Sequence, residues 1–89
     1  MTSADSVRQR IEHEVAELRA SHPHLSACES ALVQWSENGA PRYSLHLDIR
    51  WPNHQTLLSG PAHDSAEAAI AAGFHAARER LQQATWASR

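Results

Sequence analysis

The chain has 89 residues, with 8 Lys+Arg, 10 Asp+Glu and 7 His, and a formal net charge of -2 at pH 7 with histidine neutral. Every basic residue is an arginine, so there is no basic excess of the kind that drives charge-led nucleic-acid binding. The length suits one domain spanning 1–89, the lone Cys28 excludes an internal disulfide framework, and no apolar run approaches the ~20 residues that span a bilayer. No secretory leader pattern opens the chain, so a cytoplasmic location is expected. Arginine-only usage with abundant alanine points to a GC-rich coding genome.

Val7, Ile11, Val15 and Leu18 recur at helical spacing, and Ser6 with Gln9 has the form of a capping box, with Ser3 or Asp5 as other candidate caps. Pro23 disfavours helix at His22, so this helix should stop near Ser21. A first strand is expected from about Ser26 to Ser36, in which Ala31, Val33 and Trp35 alternate with Leu32, Gln34 and Ser36. Glu37-Asn38-Gly39-Ala40-Pro41 carries turn chemistry for a hairpin. In the second strand Tyr43, Leu45, Leu47, Ile49 and Trp51 point one way and Ser44, His46, Asp48 and Arg50 the other, which predicts one buried and one wetter face.

Pro52-Asn53-His54 reads as a second turn, and Gln55 to Gly60 as a short third strand. Asp64 with Glu67 has the form of a capping box ahead of a second helix, whose core stripe is Ile70, Phe74, Ala77 and Leu81. Gly73 inside that helix predicts close packing against the first helix or the sheet. The expected fold is α+β, in the order α-β-β-β-α, with a three-stranded antiparallel sheet and both helices on one of its faces.

The chemistry is sparse. Gly39, Gly60 and Gly73 form neither a phosphate loop nor a dinucleotide fingerprint. His22, His24, His54 and His63 fall in turns, His13 and His75 on helices, and His46 beside Asp48 on the wetter strand face. None of these spacings is that of a zinc site, so no metal and no cofactor is expected. Cys28 has His24 nearby in sequence, but no cation or helix N-terminus to activate it, and reads as a partly buried, inert thiol. No enzyme is expected, and no small-molecule substrate. Trp35 and Trp51 are assigned to the core face, and Trp86 to either a partner contact or a terminus folded back on the sheet. Arg8 and Arg19 share one stripe of the first helix, while Arg78 and Arg80 flank opposite edges of the second helix's core stripe.

A helix ending in His22-Pro23-His24 leads into a strand at Leu25-Ser26-Ala27. Arg42-Tyr43-Ser44-Leu45-His46-Leu47-Asp48-Ile49 is followed by Trp51-Pro52-Asn53-His54, and the last helix runs from Asp64-Ser65-Ala66-Glu67-Ala68-Ala69-Ile70 to Arg78-Glu79-Arg80-Leu81. In this order the stretch from Leu25 to Leu81 resembles the ribosome hibernation factors, the family of ribosome-associated inhibitor A and hibernation promoting factor. The resemblance implies a β-α-β-β-β-α fold, related in shape to double-stranded RNA-binding domains, that binds the small (30S) ribosomal subunit and its rRNA without catalysis. This chain would be a diverged member lacking the first strand, since only about five residues precede its first helix. On this reading Arg8, Arg19, Arg78 and Arg80 would contact phosphates and translation would be modulated. The alternative is a protein-interaction module without RNA, dimerising through a free sheet edge or through the face carrying His46, Asp48 and Arg50.

Overall fold

A computed structural model describes residues 4–83. The element order is α1 (Ala4–Ser21), β1 (Ala27–Glu37), β2 (Ala40–Trp51), β3 (His54–Ser59) and α2 (Ala66–Gln83). The strands form one antiparallel sheet in the order β1-β2-β3, and both helices pack on the same face of it. The α-β-β-β-α expectation is therefore the observed architecture.

Local chemistry sets the boundaries. The β1–β2 connection is a two-residue hairpin turn, with Asn38 at φ 53° and Gly39 at φ 80°, the left-handed pair that matches the twist of the flanking strands. Trp51 pairs with His54 across Pro52-Asn53, and their rings lie 5.6 Å apart. α1 already runs from Ala4, which puts Asp5 and Ser6 in its first turn and not at its cap, and Ser3, the remaining candidate cap, lies outside the described residues. At α2 the cap is Ser65, whose Oγ accepts a hydrogen bond from the Ala68 N–H at 3.1 Å, one residue later than the Asp64–Glu67 pairing predicts.

The core is the layer between helices and sheet. Leu45, Leu47, Ile49 and Trp51 of β2 meet Leu18 of α1 and Ile70, Phe74, Ala77 and Leu81 of α2. α2 lies chiefly over β2, and Gly73 is the reason that it can come so close. A Cβ built on Gly73 would stand 2.5 Å from Leu45 Cδ2 and 2.9 Å from Leu45 Cβ. The close packing predicted for Gly73 is thus against the sheet.

The two helices are joined by charge. Glu14, 7% exposed, sits between Arg10 at 3.2 Å and the guanidinium of Arg78, and Arg78 also reaches Glu17 at 3.8 Å. Burial pushes the Glu14 carboxyl up, but hydrogen bonds and charge from Arg78, then Arg10, outweigh it and hold the group below the usual glutamate range.

One core assignment is corrected. The two-residue turn pairs Glu37 with Ala40, so each β1 residue faces a β2 residue of opposite parity. Leu45, Leu47 and Ile49 therefore take Leu32, Ser30 and Cys28 as inward neighbours, while Trp35 pairs with Arg42 on the other face. Trp35 is a residue of the open face, not of the core. Trp51, 7% exposed, is buried as expected, and Trp86 lies outside the described residues.

Candidate functional site

The sheet face turned away from the helices has no covering layer among the described residues. β1 contributes Glu29, Ala31, Val33 and Trp35, β2 contributes Arg42, Ser44, His46, Asp48 and Arg50, and β3 contributes Gln55, Leu57 and Ser59. The predicted partner residues His46, Asp48 and Arg50 do lie together here. Arg50 donates to Asp48 Oδ2 from Nη2 at 2.7 Å and from Nε at 3.2 Å, and Gln55 donates to Asp48 Oδ1 at 2.9 Å. The Arg50 hydrogen bonds, then that of Gln55, hold the Asp48 carboxyl below its ordinary range, and Asp48 in turn raises Arg50. His46 Nδ1 lies 3.2 Å from Ser59 Oγ.

Reading the residues in sequence missed the apolar part of this face. Leu57 is 73% exposed and Val33 41% exposed, and together with Ala31 they adjoin the polar cluster around a shallow depression of about 330 Å³ that includes His46, Asp48 and Ser59. The length of the Asn38–Gly39 turn carried the missing signal. A two-residue connection makes paired positions sum to an odd number, so burial of the odd positions in β2 turns the odd positions of β1 outward.

The four predicted phosphate-contacting arginines do not share one surface. Arg8 and Arg19 lie on the flank of α1 nearest β1, where Arg8 lines a groove with β1 residues and the charge of Arg19 acts on Cys28. Arg8 also reaches Asp5 at 3.3 Å in an exposed pair. Arg78 points from α2 into the seam with α1. Arg80 lies two residues and about 200° further round α2, on the flank away from α1. Arg19 and Arg80 have no ion-pair partner among the described residues.

The groove beside Arg8 has a volume of about 810 Å³. Val7 and Ile11 of α1 and Leu32 of β1 make it apolar, Ser30, Gln34 and Tyr43 complete its sheet side, and Glu12, Asp64 and Glu67 stand at its rim. Cys28 is half-buried further along the same side of the sheet, and burial raises its thiol pKa against the opposing charge of Arg19, which favours the protonated form.

Comparison with protein-family models, curated proteins and solved structures gives no match. Both oxygens of Asp48 are engaged, one by Arg50 and the other by Gln55, and His46 Nδ1 is matched with Ser59 Oγ. Among the described residues no three His, Cys, Asp or Glu side chains are placed to hold a metal ion, and no helix is long and apolar enough to cross a membrane.

Proposed function

We propose that this chain is a non-enzymatic binding factor of the hibernation-factor type, acting on the small ribosomal subunit. The observation that carries the reading is the position of α1. α2 lies mainly over β2, and α1 packs beside α2 with little contact to β1. Its Val7 and Ile11 face Ser30, Leu32 and Gln34 of β1 across a groove, so α1 lies on the β1 side of the sheet. A helix leading into β1 on that side is what the hibernation-factor order of helix, three strands and helix asks for, and likeness to double-stranded RNA-binding domains belongs to the same reading.

Arg8 and Arg19, on one flank of α1, are the phosphate contacts of this proposal, with Arg80 a separate one; the charge of Arg78 is directed at Glu14 and Glu17. Co-sedimentation with 30S subunits at low salt tests it. The wild-type chain is expected in the pellet, and Arg8→Glu with Arg19→Glu is expected to leave it in the supernatant. If the double variant pellets like wild type, these arginines are not the contacts.

A second reading, a protein-interaction module acting through the open sheet face, is favoured by exposed Leu57 and Val33 beside the Asp48–Arg50 pair. Leu57→Lys would then abolish partner capture and leave 30S binding unchanged.

A further inference from the structure

Between α1 and the inner face of the sheet lies a groove of about 810 Å³, within the ~300–1,000 Å³ of sites that hold small molecules. Val7 and Ile11 of α1 face Leu32 of β1 and Tyr43 of β2 across it, and the start of α2 borders it at Ala66. Val7, Ile11 and Leu32 are only partly buried, yet each packs against the core, so the apolar wall is preformed and still open. Ser30 and Gln34 add neutral hydrogen-bonding groups to its floor.

We propose that this groove is a binding site for a small cationic amphiphile, an apolar body that carries a protonated amine. The rim selects the charge. Glu12 on α1 and Asp64 ahead of α2 both line the groove, and neither has an ion-pair partner among the described residues. Asp64 is not the cap of α2, since Ser65 takes the Ala68 N–H. Glu67 adds a third carboxylate. The one cation among the lining residues, Arg8, is shared with Asp5 at 3.3 Å. An ammonium group at the rim is therefore attracted, and a carboxylate in its place is repelled.

The walls select a small molecule. The floor consists of side chains on the inner sheet face and not of the outward backbone of β1, so an added strand would gain no ladder of hydrogen bonds here. From Ser30 to Gln34 the floor is ~13 Å long, less than three turns of a docked helix. A short alkyl chain lies along Val7, Ile11 and Leu32 and leaves its ammonium beside Glu12 and Asp64.

The test is an NMR titration of the uniformly ¹⁵N-labelled full chain at pH 7 with octylamine, octanoate and ethylamine, each kept below the concentration at which it aggregates. The expected result is saturable binding of octylamine, with amide shifts at Ile11, Leu32 and Ala66 and none at Leu57 on the open sheet face. Octanoate, with the same chain and the opposite charge, is expected to bind at least tenfold more weakly, and ethylamine, with the charge but not the chain, is expected not to bind. Glu12→Gln should weaken octylamine binding threefold or more and Arg8→Gln should strengthen it, both with unchanged shifts at Phe74 and Leu81 in the core. Absence of saturable binding, octanoate binding as tightly as octylamine, shifts centred on Leu57, or groove shifts that appear on concentrating the free protein and so place a second copy there would each overturn the proposal. Sedimentation with 30S subunits is read without the amine, so this inference and the ribosome reading fail separately.

Discussion

At Gly73 one added methyl group would collide with the Leu45 side chain, whose Cδ2 and Cβ lie 2.5 and 2.9 Å from the place that methyl would take. Leu45 is 1% exposed and cannot swing into solvent, so Gly73→Ala must push α2 off β2. Overpacking of this kind costs about 1–3 kcal/mol, more than the roughly 1 kcal/mol that alanine gains over glycine in a helix, and a urea midpoint below that of wild type is expected. Glu14 makes a residue-scale prediction in pH. Its folded pKa is lowered, so its contribution is fully present above the ordinary glutamate range and is lost as pH falls through the lowered folded value. Glu14→Gln should therefore be less stable than wild type at neutral pH, by about 1–3 kcal/mol after allowance for the partly exposed Arg78, and the gap should close in acid. Parallel urea titrations at pH 7 and pH 3 measure it.

The elements differ in how plainly their residues announce them. β2 was legible throughout, because its alternation places Leu45, Leu47 and Ile49 inside and His46 and Asp48 outside. β1 was legible as a strand but not in its facing. Its odd positions are the more apolar set, yet the Asn38–Gly39 turn fixes a register that turns them outward. The apolar surface at Val33 and Trp35 could be found only by combining turn length with the parity of β2. The α2 start shows a similar limit, since Asp64 and Ser65 are both good caps and only the hydrogen bond to the Ala68 amide selects Ser65. Ser65→Ala should cost about 0.5–2 kcal/mol, with Asp64→Ala costing less, as read by thermal unfolding. Gly39 should behave differently from Gly73. A Cβ there would meet nothing within 4 Å, so Gly39→Ala costs only the left-handed backbone penalty of about 1–2 kcal/mol, while Gly39→Asn is nearly neutral.

For the whole molecule, the helix-on-sheet layering followed from periodicity, whereas the candidate surfaces followed only in part. Sequence spacing placed His46, Asp48 and Arg50 on one face, and the structure keeps them there. It could not show that Arg78 meets Glu14, because that pair joins residues 64 positions apart. Nor could it show that α1 packs beside α2 with little contact to β1. The overall charge adds a dependence on conditions. The chain carries -2 with its 7 histidines neutral and +5 with all of them protonated, and histidine gains its charge near pH 6.5 in water. An rRNA complex formed by so few arginines should tighten as pH falls through that range and weaken with salt. Sedimentation with 30S subunits at pH 6 and pH 8, each at low and moderate salt, tests the ribosome reading most directly. The account predicts co-sedimentation at pH 6 and low salt that declines at pH 8 and as salt rises. Protein that stays in the supernatant at pH 6 and low salt would contradict it.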